Sequence, residues 1–319
     1  MINVVEFDFT TKKDRVISFE DLKLDCRVGE YYWINLGKDR IEEFLQVFEK
    51  LCPGTPIDKD FLSNTSIEVL NLFQNSIHFT IFEPYFIESK LVSKPIQVIL
   101  GKSFLATIVD GNSKVINNLH ITYHNDFVEF SQSPGFLLFE IVDYASSMYQ
   151  NTFRVFAEEI DRLQLKLFEN INDEIFMRVA NLTQQLLDFR SMLVSAREII
   201  SVLATRKSPF ISETTQPFLE RKSTLLARLS DDLSTERAVI SDTFNLYMGF
   251  VSYKTNNLIN RLTIISLIFL PITFLVGIYG TNFSYIPELQ WKYSYFVFWI
   301  LMIVIVALLL WFFKRRKWI

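Results

Sequence analysis

The chain has 319 residues, room for a soluble part of roughly 250 residues plus two membrane-crossing helices. Half of its residues are hydrophobic, and the apolar excess is concentrated in roughly the last sixty positions, unlike the even spread of a globular domain. A net charge of -4, with no basic stripe before the final residues, excludes nucleic acid as a main partner.

Read in chain order, the amino-terminal third predicts a mixed α/β domain over 1–133. Residues 3–9 and 31–36 are short strand candidates rich in Val, Phe, Tyr and Ile. Residues 39–51 place Ile41, Phe44, Leu45, Phe48 and Leu51 at helical spacing, ending before Cys52-Pro53-Gly54. Further strands are expected at 77–82, 97–100 and 104–109, the last closed by the Asp110-Gly111 turn. Cys26 and Cys52 read as a reduced, cytosolic pair. No secretory signal is expected at residues 1–8, which carry Glu6 and Asp8. From about Pro134 the pattern becomes helical. A hairpin over 134–216 is expected, with helices at 136–169 and 173–203 and a break at Ser208-Pro209. A third helix begins near Pro217, a residue suited to a first helical turn. Unbroken to Tyr279, it would be on the order of 95 Å long, with 217–261 as stalk and 262–281 as first membrane span.

Two uncharged runs, 262–286 and 293–313, each exceed the roughly 20 apolar residues that cross a bilayer about 30 Å thick. Between them a loop over 282–292 holds only Glu288 and Lys292 as charges. Lys314, Arg315, Arg316 and Lys317 form a basic tail over 314–319, and Lys254 and Arg261 precede the first span. Positive residues therefore cluster with the termini, which places both termini in the cytoplasm and the chain, as a multi-pass protein, in the cell (inner/plasma) membrane. The tail reads first as a stop-transfer signal, and a positive ring around a pore mouth is compatible with the same residues.

The lower part of the long helix carries a seam. Steps of three and four back from Gly280 give Gly277, Thr273, Leu270, Ser266, Thr263, Ile259 and Asn256, the 3.5-residue repeat of helices packed about a common axis. The seam is mostly small and polar, while Ile265, Leu267, Ile268, Phe269, Phe274 and Ile278 lie on the opposite faces, suited to lipid or to the second span. Such a seam fits a water-filled pore made of several copies, and it also fits tight helix packing. The helix exits into Tyr279-Gly280-Thr281-Asn282-Phe283, a turn that offers carbonyls and an amide to an ion.

These residues carry a family resemblance. Asn257, then Leu262-Thr263-Ile264-Ile265, Phe269-Leu270-Pro271-Ile272-Thr273-Phe274, Gly277 to Phe283, and Ile286-Pro287-Glu288-Leu289 resemble the membrane module of the CorA magnesium transporters. The resemblance implies an α+β cytoplasmic domain followed by long helices and two transmembrane helices, assembled as a funnel-shaped homopentamer in the lipid bilayer. It implies that the first spans line a pore for divalent metal ions, with Asn256, Ile259, Leu262, Thr263, Ser266, Leu270, Thr273 and Gly277 facing it. It further implies an outer ring of Gly280, Thr281 and Asn282 that holds a hydrated ion, Mg²⁺, by outer-shell contacts. The chain departs from the Gly-Met-Asn signature at Thr281, a position where a related zinc-transporting branch also replaces the methionine. Zn²⁺ or another transition metal is thus the alternative cargo, and a non-conducting metal sensor the alternative function.

Mg²⁺ releases its waters reluctantly, so a neutral ring can hold its outer shell weakly enough for release. No Asp or Glu lies between Arg261 and Glu288, which fits weak binding. Leu270 and the level of Ile259 to Leu262 are candidate apolar rings that gate by excluding water. Asn245 falls where relatives often carry an aspartate at the cytoplasmic entrance. For regulation by cytoplasmic Mg²⁺ the resemblance points to Asp231, Asp232, Glu236 and Asp242, acids that also fit a solvated stalk face. Glu288 fits a role in concentrating cations at the outer mouth. His78, His120 and His124 form no zinc-ligand set, and with no catalytic triad or covalently bound cofactor evident, an enzyme is not expected.

Overall fold

The computed structural model describes residues 2–23, 29–57, 61–62, 70–129, 133–169, 173–282 and 286–316. Two compact units, Met1–Asp242 and Thr243–Ile319, divide the chain.

In the first unit the described residues form one seven-stranded sheet. Its strands are β1 (Ile2–Asp8), β2 (Lys13–Ile17), β3 (Glu30–Gly37), β4 (Leu70–Leu72), β5 (Ser76–Ile87), β6 (Lys90–Gly101) and β7 (Phe104–Val109), in the order β2-β1-β3-β7-β6-β5-β4. Neighbours are antiparallel except β3 and β7, which run parallel in the register Tyr32 to Phe104 through Gly37 to Val109. Strand side chains alternate between faces. On β3, Tyr32, Ile34 and Leu36 join Phe104, Ala106 and Ile108 in a core closed by Phe44 and Phe48 of helix α1 (Ile41–Leu51). Trp33 belongs to the other face and stacks on His120 of helix α2 (Lys114–Glu129), with centroids 4.4 Å apart. Phe7 meets Tyr123 and Phe127 of α2 and Phe136 of helix α3 (Gly135–Glu169). The sheet is therefore covered on both faces.

A chain of polar contacts links four side chains on the α2 side. The Trp33 indole N–H donates to Thr107 Oγ1 (3.1 Å), and the Thr107 hydroxyl donates to Asn35 Oδ1 (3.0 Å). The Asn35 amide in turn lies 2.9 Å from His120 Nε2. Helix α4 (Asp173–Thr205) packs on α3 through rings, Phe189 meeting Tyr149 and Phe156. Helix α5 (Gln216–Tyr279) contributes to both units, and α6 (Ser294–Arg315) belongs to the second.

The expected strands and helices are present, with three additions and two extensions. Strand β5 continues past Phe82 through Pro84, and β6 begins seven residues before Gln97 and includes Pro95. Both prolines sit where the strand has one neighbour. The β4 pairing stops at Ile77–Phe79, and the β7 pairing reaches only Ile96. A missing N–H disrupts no ladder there. Strand β2 is short and largely exposed, so it lacks an apolar signature. Helix α2 is rich in β-branched and polar residues, and it is fixed by a cap from elsewhere in the chain. The buried Glu83 carboxylate accepts from the Ser113 hydroxyl (2.7 Å), Lys114 N–H (3.0 Å) and Val115 N–H (3.4 Å). Its charge sits at the positive end of the helix dipole. Cys52 is buried and unbridged, its thiol pushed up to about 11 by burial; Cys26 lies outside the described residues.

Candidate ion pathway

Helix α5 runs 64 residues without interruption. Pro217 occupies its first turn, where a missing N–H leaves nothing unpaired. Pro271 lies in the interior, so the Leu267 carbonyl receives no N–H from the next turn. An apolar stretch of α5, and another on α6, are each long enough to cross a bilayer. Only 6% and 11% of these stretches is buried within the chain, which distinguishes them from the core helices of a soluble protein.

Every residue of the expected seam lies on this helix and is exposed in the single chain: Asn256, Ile259, Thr263, Ser266, Leu270, Thr273 and Gly277, together with Leu262. The hydroxyls have a defined polarity. Thr263 Oγ1 donates to the Ile259 carbonyl (2.8 Å) and Ser266 Oγ to the Leu262 carbonyl (3.0 Å). With its hydrogen committed to the helix, each hydroxyl presents lone pairs outward. An acceptor surface of this kind matches the outward-pointing hydrogens of water bound to a cation. It also leaves no negative charge that would hold the ion tightly.

At the exit the helix tightens before it ends. The Gly280 N–H reaches the Val276 carbonyl (2.9 Å), whereas the Thr281 N–H and its hydroxyl both reach the Ile278 carbonyl (3.2 and 2.6 Å). A Cβ added at Gly280 would lie 3.1 Å from the Val276 oxygen, so glycine leaves the rim of terminal carbonyls uncovered. These carbonyls form the negative end of the helix dipole, equivalent to roughly half an elementary charge, which favours a cation. Asn282 follows in irregular, exposed backbone, and Phe283 lies outside the described residues. The run of apolar residues continues to Ile286, but the helix stops at Tyr279.

The remaining candidates take separate places. Glu288 is exposed in a short 3-10 turn, Pro287–Gln290, its carbonyl accepting from the Trp291 N–H (3.3 Å). Lys314 and Arg315 occupy the last turn of α6 rather than following it. The Arg315 and Arg316 guanidinium groups lie over Trp311 and Phe312, at 5.3 and 5.8 Å. Lys317 lies outside the described residues. Asn245, Asp231, Asp232 and Asp242 are exposed on α5. Glu236 is partly buried, and burial followed by the charges of Asp161 on α3 and Asp232 raises its carboxyl above the usual range. Among the described residues of one chain, no group of three His, Cys, Asp or Glu is spaced to hold a metal.

The histidines have structural surroundings. His78 is buried among Phe48, Phe61 and Phe73, its Nε2 2.8 Å from Ser76 Oγ. His120 is in the polar chain described above, and His124 Nδ1 lies 2.7 Å from Asp14.

Comparison with known proteins places this geometry. Residues 30–315 match the family described as CorA-like Mg2+ transporter protein. The chain belongs to that family. This CorA-like chain is 28% identical over 316 residues to the cobalt/magnesium transport protein CorA of Thermotoga maritima, covering 97% of this chain and 88% of the relative. It is 27% identical to the zinc transport protein ZntB of Yersinia pseudotuberculosis over 188 residues, 56% of this chain and 55% of that one. The complete structure of the CorA magnesium transporter from Methanocaldococcus jannaschii superposes with a TM-score of 0.86 at 20% identity, covering 100% and 99% of the two chains. The full-length CmaX protein gives 0.74 at 16% identity, with 99% and 97% coverage. The CorA fold therefore extends over the whole chain, including the amino-terminal region where the sequence resemblance is weak.

For this CorA-like chain, two features of the helix go beyond the spacing from which the seam and the turn are expected. One is that the Leu267 carbonyl lacks the usual donor four residues on, which was legible in Pro271 at that spacing. The other is the outward lone pairs of Thr263 and Ser266, a consequence of back-bonding that Ser and Thr make in helices.

Proposed function

We propose that five copies of this chain assemble into a membrane channel that carries hydrated divalent cations, Mg²⁺ first among them, into the cytoplasm. The observation that supports this most directly is the exposed acceptor seam of α5, free of carboxylates, ending at a carbonyl-rich turn with Asn282 beside it. A single such seam cannot enclose water, so the reading requires copies arranged around an axis, with α6 outside. The domain boundaries follow as proposed from the sequence, with both termini on the cytoplasmic side of the cell membrane and the 282–292 loop outside.

At the outer mouth, Asn282 amides and the Gly280 and Thr281 backbone would accept hydrogen bonds from the ion's water shell. Glu288 would raise the local cation concentration there. The ion would then pass Gly277, Thr273, Ser266, Thr263 and Asn256, with Leu270 and the Ile259–Leu262 level as constrictions that close by excluding water. Transport would be driven by the membrane potential, which contributes about 4.6 kcal/mol for a divalent ion at 100 mV. Cytoplasmic Mg²⁺ acting through Asp231, Asp232, Glu236 or Asp242 of adjacent copies would serve as regulator.

A second reading, Zn²⁺ as cargo, is supported by Thr281 in place of the signature methionine and by the similarity to a zinc transport protein. Two measurements test the proposal. The mass of the detergent-solubilised complex should correspond to five chains. Competition between Mg²⁺ and Zn²⁺ for uptake into proteoliposomes should show Mg²⁺ as the preferred ion; uptake blocked by trace Zn²⁺ and insensitive to excess Mg²⁺ would favour the second reading.

A further inference from the structure

The second unit contains a cavity of about 300 Å³ that shares only Glu288 with the residues placed along the ion pathway. It lies between the end of α5, the 3-10 turn and the start of α6, and it is lined by Tyr279, Glu288, Trp291, Tyr295, Phe298 and Leu301 among others. Four aromatic residues and one acidic residue thus line a single small space. Tyr279 and Phe298 meet edge to face, with centroids 5.2 Å apart, which fixes the far wall. The Trp291 N–H donates to the Glu288 carbonyl across the turn (3.3 Å), which holds the backbones of these two lining residues together.

That combination selects a chemistry. Aromatic faces attract cations through their quadrupoles, best when the cation is weakly hydrated, and cages of such rings are the recognised way to hold quaternary ammonium groups. A hydrated Mg²⁺ is unsuited to the site, because its waters are costly to remove and would be replaced by one carboxylate and hydrocarbon. A neutral apolar ligand would gain nothing from the charge of Glu288. An alkylammonium group satisfies both walls, with its positive charge set against Glu288 and its methyl or methylene groups against the rings.

We propose that this cavity is a binding site for an alkylammonium cation, supplied by a lipid headgroup or by a free quaternary or primary amine. Under the topology proposed above, Tyr279 and Tyr295 lie at the level of the headgroups, where aromatic residues collect. The placement of the cavity rests on that reading; the binding chemistry does not.

The test uses the full chain in a neutral maltoside detergent, with labelled choline in equilibrium dialysis. The neutral isostere 3,3-dimethyl-1-butanol, which replaces the ammonium nitrogen by carbon, serves as competitor. Choline should bind saturably, the isostere should compete at least tenfold less well, and Glu288→Gln and Trp291→Leu should each weaken choline at least tenfold. Phosphatidylcholine and phosphatidylethanolamine that displace choline, with phosphatidylglycerol inert, would identify the headgroup as the source. Displacement by none of the three lipids would identify a free amine. Absence of choline binding, equal competition by the isostere, or unchanged affinity in a folded Glu288→Gln protein would overturn the proposal. None of these readouts depends on ion flux, so failure here is distinguishable from failure of the transport reading.

Discussion

His78 should make the first unit acid-sensitive by a calculable amount. Its ring is fully buried among Phe48, Phe61 and Phe73, and Nδ1 has no hydrogen-bond partner among the described residues. Burial lowers its pKa from 6.5 to about 4. The folded state thus binds this proton less readily than the unfolded chain does. The stability that depends on neutral His78 is intact above about pH 6.5 and is lost as the pH falls toward 4. Between pH 7 and pH 5 the difference in proton binding amounts to about 2 kcal/mol. For a unit of this size that is roughly 4–8 °C in Tm. The variant His78→Phe preserves the ring packing and removes the proton. It forfeits the Ser76 bond at every pH alike, so the slope with pH is the informative quantity. Thermal unfolding followed by circular dichroism at pH 7, 6 and 5 should show a wild-type Tm that falls more steeply than that of the variant. Parallel curves would refute the assignment of an excluded proton to this site.

Glu140 should act in the opposite sense. Its carboxyl is pushed up to about 7, chiefly by burial and then by Asp126 and Asp143, with Lys222 countering. A carboxyl raised in the folded state costs stability as it ionises above its unfolded value, so Glu140→Gln should raise Tm at pH 8. The gain, roughly 1–2 kcal/mol after allowance for solvent screening, should vanish by pH 5. Glu83→Ala removes the acceptor of three bonds at the α2 amino terminus, and a loss of about 2–4 kcal/mol is expected in thermal unfolding. Thr263→Val replaces the outward oxygen with a methyl group of similar shape. Mg²⁺ uptake should fall roughly 2–10-fold, corresponding to about 0.5–1.5 kcal/mol, whereas Thr263→Ser should remain near wild type.

The legible parts of the molecule were those with strong local periodicity. Helices α3, α4 and α5 and the apolar run of α6 were visible because their apolar residues recur at helical spacing, or without interruption, over twenty or more positions. Strand β3 showed its Tyr- and Ile-rich composition, but the strands expected at 77–82 and 97–100 stop short of Pro84 and Pro95, which β5 and β6 include. Whether a proline is tolerated depends on how many neighbours the strand has at that point, and this is set by the sheet rather than by the strand. Helix α2 was invisible for a similar reason. Its cap is supplied by Glu83, thirty residues earlier, and only Ser113, whose hydroxyl accepts from the Ile116 N–H, was available as a local sign. In the candidate site the seam and turn were readable from spacing, because a residue's place around a helix follows from its number. The direction of the Thr263 and Ser266 hydroxyls and the cavity beside Glu288 depend on bond rotations and chain reversal, which spacing does not encode.

The most direct test of the account is Mg²⁺ uptake into proteoliposomes by purified wild-type and Asn282→Ala protein under an inside-negative potential. The account predicts rapid, potential-dependent uptake by wild type and a loss of at least tenfold in the variant, with the assembly intact in both. Wild-type rates in Asn282→Ala, or no flux of any divalent ion through an intact wild-type assembly, would contradict it.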